Sequence, residues 1–195
     1  MAQNLSNFYQ TARERDFARQ FQFRVQGLQV NGFAFSEQDL LYVETASLPA
    51  RAINNVQIPY MGLNFNVPGT AQYPGSDNYE ITFRCDANYN IRALLESISF
   101  ATFDEQSSTG DFNTPRPSST LTLELLGNSP SGNVNSVNSV VKTLNASRTY
   151  TLYGVYIRQV GAVQYNIGNA GDIVKIPATF CLLYTSDAAD DMQCV

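Results

Sequence analysis

Hydrophobic positions recur with a period of two along most of this chain. Phe21-Gln-Phe-Arg-Val-Gln26 alternates without error, placing Phe21, Phe23 and Val25 on one face and Gln22, Arg24 and Gln26 on the other. That is the pattern of a half-buried strand. Gly27 and the Asn31-Gly32 pair predict turns behind it. Leu40 to Thr45 reads as a second, more apolar strand. Tyr79, Ile81 and Phe83 alternate with Glu80, Thr82 and Arg84, and Leu121 to Leu125 is a further short strand. Thr149 to Arg158 is rich in tyrosine, with Gly154 marking a bulge. Ala162 to Ile167 predicts one more strand, Gly168 to Gly171 a turn, and Ile173 to Phe180 the last strand. Pro177 implies that this last strand starts late or lies at an edge.

Two stretches change period. Ile91, Leu94, Leu95 and Ile98 stand at i, i+3, i+4 and i+7, which predicts an amphipathic helix capped by Asp86 or Asn90 and ending near Phe100 or Phe103. Leu5, Phe8, Tyr9 and Ala12 show the same spacing weakly, in a segment of mixed charge. It is either a solvated lead-in or an arm packed on a neighbouring molecule. Asp104 to Thr120 and Gly127 to Ser147 are polar and predict long loops of the kind that often carry function. The layer argument makes the fold mainly β, a β-sandwich or barrel of about seven to eight strands with one flanking amphipathic helix.

Between the second and third of these strands the pattern loosens. Glu44 to Phe83 opens on a Leu48-Pro49 turn and is punctuated by Pro59, Pro68-Gly69 and Pro74-Gly75. Prolines at that density exclude a long helix and would remove ladder hydrogen bonds from a central strand. The expected object is a long, partly extended arm or hairpin leading into the sheet, and such an arm calls for a partner.

Composition narrows the function. The 195 residues are 44% hydrophobic, enough for one core. Histidine and tryptophan are absent, and the only lysines are Lys142 and Lys175. Without histidine, the usual general base and metal ligand near neutral pH is missing, so Ser-His-Asp, Cys-His and most zinc chemistry is excluded. The chain is therefore read as a non-enzyme, with no cofactor and no metal. Cys85, Cys181 and Cys194 lack the Cys-x-x-Cys spacing and imply no disulfide framework. The N-terminal segment has no apolar signal core, and no run approaches the roughly 20 residues of a membrane span. These features predict cytoplasmic synthesis and no membrane anchor.

The last fifteen residues stand apart. CLLYTSDAAD, Cys181 to Asp190, is similar to the in-frame translation of a transposase-based sequencing adapter. From Asp187 the chain runs out in small and acidic residues, DAADDMQCV, with no turn signal. Residues 1–180 are therefore expected to form a single domain, and 181–195 to be a non-native tail, left out of the fold reading. The tail holds three aspartates and no Lys or Arg. Without it, 17 acids become 14 against 12 basic residues, and the net charge moves from −5 to −2.

The order of these pieces resembles the tail tube protein of contractile-tailed bacteriophages. The likeness is carried by Asp16-Phe17-Ala18-Arg19 ahead of the first strand and by the Ala46-Ser47-Leu48-Pro49-Ala50 turn. It continues through Val67-Pro68-Gly69, the strand Asp77-Asn78-Tyr79-Glu80-Ile81-Thr82-Phe83, the single helix, and Gly154-Val155-Tyr156 with Val160-Gly161 after it. It covers nearly all of Asp16 to Phe180, and it lies in order and spacing rather than in any one motif.

The resemblance implies hexameric rings whose strands join in a continuous inner barrel and which stack into a tube, assembled in the host cytoplasm and located in the virion. Sheath, tape-measure and baseplate proteins would be its partners, and DNA would pass through without specific binding. A chain without basic stripes suits such a conduit, because Lys/Arg tracks hold phosphates. Joining sheets between subunits also removes exposed strand edges, and a rotationally closed contact makes a ring. The arm and the Asp104–Thr120 loop become candidates for ring-to-ring contacts, with Leu48, Pro49, Tyr60, Met61, Pro68, Gly69 and Tyr73 as interface residues. Within the same fold, a tube initiator, a baseplate homologue or a type VI secretion tube is the alternative. From another class, a carbohydrate-binding sandwich would use the 11 tyrosines, but lacks tryptophan and has its aromatics mostly on core faces.

Overall fold

Two antiparallel sheets face each other across the side chains that the alternation singles out. The computed structural model describes residues 5, 9, 10, 17–110, 118–131, 143–168 and 171–187. The strands are β1 (Phe23–Val30), β2 (Phe33–Ala34), β3 (Val43–Thr45), β4 (Ala52–Tyr60), β5 (Leu63–Gln72), β6 (Tyr79–Arg84), β7 (Phe103–Asp104), β8 (Thr109–Gly110), β9 (Thr120–Ser131), β10 (Thr143–Tyr153), β11 (Tyr156–Val160), β12 (Lys175–Cys181) and β13 (Tyr184–Asp187). Helices α1 (Glu37–Leu40) and α2 (Asn90–Thr102) complete the list. The first sheet has the order β13-β10-β9-β1-β2 and the second β11-β12-β6-β3, while β4-β5 and β7-β8 are separate ribbons. The fold class is mainly β, as the periodicity predicts.

The core is built from one face of each sheet. Val25, Leu28, Val30, Leu121, Leu123 and Leu152 come from the first, and Tyr79, Ile81, Phe83, Ile157, Ile176, Ala178 and Phe180 from the second. Helix α2 adds Ile91, Leu95 and Ile98, all buried, with Leu94 half-buried beside them. Thr102 at its far end accepts a 3.0 Å hydrogen bond from the Asn31 side chain, and Arg92 near its start donates a 2.6 Å bond to the Gly161 carbonyl. The helix is thus tied to both sheets. Of the two predicted caps, Asp86 accepts from the Ile91 N–H at 3.2 Å. Burial raises the Asp86 pKa, but the backbone N–H groups around its carboxylate, led by Ile91 and Asn90, bring it below its ordinary value.

Several boundaries differ from expectation. Gly27 is a bulge inside β1 and not a turn; the register slips between Val25 and Gly27, which returns Leu28 and Val30 to the core face. The turn falls at Asn31-Gly32. Leu40 to Thr45 is not one strand, because Ser36 and Asp39 form a capping box that winds α1 and leaves only Val43–Thr45 extended. Gly127 to Ser147 is not one loop. Residues 127–131 and 143–147 extend β9 and β10, and 132–142 lie outside the described residues. Gly154 is no bulge either. At φ +66° it carries the chain from β10 in the first sheet to β11 in the second.

Residues 162–167 form no strand. Pro177 lies inside the second sheet, between β6 and β11. A residue's N–H and C=O point to the same side of a strand, and the Pro177 carbonyl accepts from Gly161 N at 2.7 Å. The missing donor therefore faces the spent end of β11, where the ladder loses little.

The predicted loop after α2 starts with the β7-β8 hairpin, in which the Asp104 carboxylate accepts from Gln106 N and Ser107 Oγ; residues 111–117 lie outside the described set. Most of the N-terminal segment, including Phe8 and Ala12, lies outside it too, as do Asn169 and Ala170 of the predicted Gly168–Gly171 turn. Two- and three-residue strands bring the count above the seven or eight expected, since pieces that short have no period to read. Of the final fifteen residues, Cys181 and Leu182 are buried, and the backbone of β13 pairs with β10 from Tyr150 to Tyr153.

Candidate interface: an amphipathic hairpin and an open cleft

The arm is a β-hairpin. Its turn is Met61-Gly62, with φ +48° and +81°, both left-handed, as a two-residue turn joining twisted strands requires. Across it the pairs Tyr60↔Leu63, Ile58↔Phe65 and Val56↔Val67 alternate with Pro59↔Asn64, Gln57↔Asn66 and Asn55↔Pro68. The first set is wholly apolar and shares one face. The second is amide and proline and shares the other. Between Ile53 and Asn55 the register slips, β5 advancing three residues to two on β4, so Ile53 stays on the side of Asn55 and the apolar face runs from Val56 to the tip.

Prolines fit this ribbon because of its register. A two-residue turn makes Tyr60↔Leu63 a hydrogen-bonded pair, so every second pair, including those of Pro59 and Pro68, points its N–H groups outward. Neither proline removes a bond between the two strands. Each instead removes a donor from an outer edge, which limits uncontrolled strand addition.

The hairpin stands away from the core. Nine residues of strand extend about 30 Å, and β4 and β5 pair only with each other among the described residues. Val56, Ile58, Tyr60, Leu63 and Phe65 are 48–64% exposed. A folded chain rarely leaves so regular an apolar face in water unless something covers it.

The root of the arm is fixed. Tyr79, on β6, donates a 2.6 Å hydrogen bond to the Ser47 carbonyl, and burial pushes its phenol up to about 12. Nearby, the outer face of the second sheet carries Glu44, which bonds Lys175 at 2.6 Å and lies 3.6 Å from Arg84. The hydrogen bond from Lys175 is the main cause of the lowered Glu44 pKa.

The proposed interface residues fall in three places. Leu48, Pro49 and Tyr73 lie at the root, Tyr60 and Met61 at the tip, and Pro68 and Gly69 midway along β5. Pro68 faces the polar side, and Gly69 lies against the slipped β4 backbone, where a Cβ would come within 2.9 Å of Val56 Cγ2 and 3.0 Å of the Asn54 carbonyl oxygen. The apolar face itself, Val56, Ile58, Leu63, Phe65 and Val67, was missed. Its signal is the strict alternation VQIPY…LNFNV around Met61-Gly62, interrupted in appearance by Pro59.

A second unpartnered surface lies at the seam between the sheets. Beyond Gln29 and Val30, β1 has no strand on the side away from β9, and β3 has none on the side away from β6, among the described residues. Between them opens a cleft of about 1050 Å³ lined by Phe21, Phe23, Leu40, Leu41, Val43 and Ala46, with Arg24, Glu37 and Glu44 at hand. Arg24 is ion-paired with Glu124 across the β1-β9 ladder. No group of three or more His, Cys, Asp or Glu side chains that could hold a metal occurs among the described residues. No helix there is long and apolar enough to cross a membrane.

No protein-family model matches the sequence, and neither does any curated protein. The fold does have solved counterparts. A chain of the anti-feeding prophage baseplate, 6-fold symmetrised, superposes with TM-score 0.54 at 10% identity, covering 88% of this chain and 95% of that one. A chain of the anti-feeding prophage cap, which terminates the tube, gives 0.54 at 10% identity over 89% and 91%. A chain of the PVC sheath-tube complex, from an extracellular contractile injection system in the extended state, gives 0.50 at 12% over 91% and 95%. The shared feature is the fold, over nearly the whole length of both partners.

Proposed function

We propose that this chain is a structural subunit of a contractile tail, specifically the tube protein, forming hexameric rings that stack into the conduit for DNA ejection inside the contractile sheath. The observation that carries this reading is the hairpin: a ribbon with one continuous apolar face and nothing to cover it among the described residues. Self-assembly buries that face and the open strand edges together. The whole-length likeness to chains of contractile particles supports the same reading, as does the absence of histidine for a non-enzymatic role. In this reading sheath, tape-measure and baseplate proteins are its neighbours, it takes no cofactor, and its place is the virion tail. The excess of acidic over basic residues suits a lumen that releases DNA.

The likeness to a baseplate chain favours a second reading with the same assembly chemistry, in which the subunit initiates the tube at the baseplate. Negative-stain electron microscopy of the expressed chain tests both. Striated tubes with a central hole are expected of the tube protein and isolated rings of an initiator; uniform monomers at high concentration would sink both.

The 181–195 segment is held to be foreign in origin. This rests on the likeness of CLLYTSDAAD to an adapter translation; Cys181 and Leu182 are buried, and Tyr184–Asp187 pairs with β10. Re-amplifying the locus across codon 180 is expected to return a different C-terminal strand; recovery of CLLYTSDAAD from independent material would overturn the division.

A further inference from the structure

We propose that the cleft between β1 and β3 is the seat of the β4-β5 hairpin of a second copy, inserted with its apolar face inward. This rests on the self-assembly reading above and specifies the surface that receives the arm.

The two surfaces are complementary in three respects. The cleft floor exposes Phe23, Val43 and Ala46, half-buried against the core, and the hairpin offers Ile58, Phe65 and Val67 on one face. Seated this way, the hairpin turns its amide face of Gln57, Asn64 and Asn66 to water, so it buries none of its own polar side chains.

The backbones match as well. The cleft is walled by two short open edges, Phe23–Gln26 and Val43–Thr45, and a hairpin is a ribbon with two open edges. Toward the tip, Pro59 limits the outward N–H groups of β4 to Ile53, Asn55 and Gln57, and Pro68 bounds those of β5 at Asn64 and Asn66. Those stretches are nearly as short as the cleft edges. Two strands placed there would link β1 to β3 and close the first and second sheets along that seam, which removes the exposed edges.

The occupant is a second copy because each chain presents both halves unfilled among its described residues. The hairpin stands exposed on both faces while its own cleft is open. A heterologous contact of this kind, arm into the next seam, propagates from copy to copy.

The test is site-specific photo-crosslinking of the full chain with Phe65→p-benzoylphenylalanine, using a mixture of isotope-labelled and unlabelled copies. Adducts joining a labelled to an unlabelled copy within residues 20–26 or 40–46 are expected. Leu41→Glu, on the exposed cleft rim, should lower their yield at least tenfold while leaving the circular dichroism spectrum unchanged. Oligomers whose adducts map elsewhere overturn this inference and leave the assembly reading standing. Adducts confined to one copy show the hairpin closing on its own cleft and overturn it too. Absence of any oligomer overturns both.

Discussion

Replacing Phe65 by serine separates folding from assembly. In the single chain this side chain is 50% exposed and stands opposite Ile58 in the ribbon. A phenylalanine presents roughly 200 Å², so about 100 Å² remains available to a partner. At about 25 cal/mol per Å² that area is worth about 2.5 kcal/mol for each seated hairpin. The cost to the free chain is a lost cross-strand pair, about 0.2–1 kcal/mol, in a ribbon outside the main core. Phe65→Ser should therefore raise the concentration needed for assembly about 60-fold, with little change in the urea midpoint of the unassembled protein. Sedimentation across a concentration series reads the first quantity and chemical denaturation the second. Asn66→Ser, on the polar face, is the control and should move neither. If Phe65→Ser assembles at the original concentration, the apolar face is not what holds copies together. If it unfolds the chain, the hairpin belongs to the core and the argument from exposure is wrong.

Other expectations concern the body of the fold. Tyr79 has a folded pKa of about 12 against about 10 unfolded, so folding favours the neutral phenol. That stability is complete below pH 10 and lost as pH rises through 12, by about 2–3 kcal/mol. Tyr79→Phe should remove this alkaline step and, by breaking the bond to Ser47, cost about 1 kcal/mol at pH 8; urea titrations at pH 8 and pH 11.5 compare the two. Gly161→Ala places a Cβ 2.5 Å from Pro177 Cγ and 2.7 Å from its carbonyl oxygen, and should destabilise by about 1–3 kcal/mol, read as a lower thermal midpoint. Leu95→Ala, at a fully buried position of α2, should cost about 2–5 kcal/mol; a loss under 1 kcal/mol would mean the helix is not part of the core.

What the sequence determined by itself is the set of elements whose period is long enough to read. Phe23 and Val25, Tyr79 to Phe83, Leu121 to Leu125 and the Ile91–Ile98 stripe are legible because a period of two or 3.6 is a local property, set by which side of a strand or helix meets the core. The missing histidines and the proline-marked arm are equally local. The Ser36–Asp39 capping box and the alternation around Met61-Gly62 were legible too, and were masked by a neighbouring apolar run and by prolines. Tertiary structure alone decided the rest. Polar β9 and β10 residues that read as loop are strand because each backbone supplies the other's hydrogen-bond partners. Pro177 is tolerated inside a sheet because its missing donor meets the end of β11. The two-faced hairpin and the cleft at the β1-β3 seam arise only when strands distant in sequence take their places. An unpaired edge is a property of what is absent beside a strand, and no single stretch of sequence encodes its neighbour.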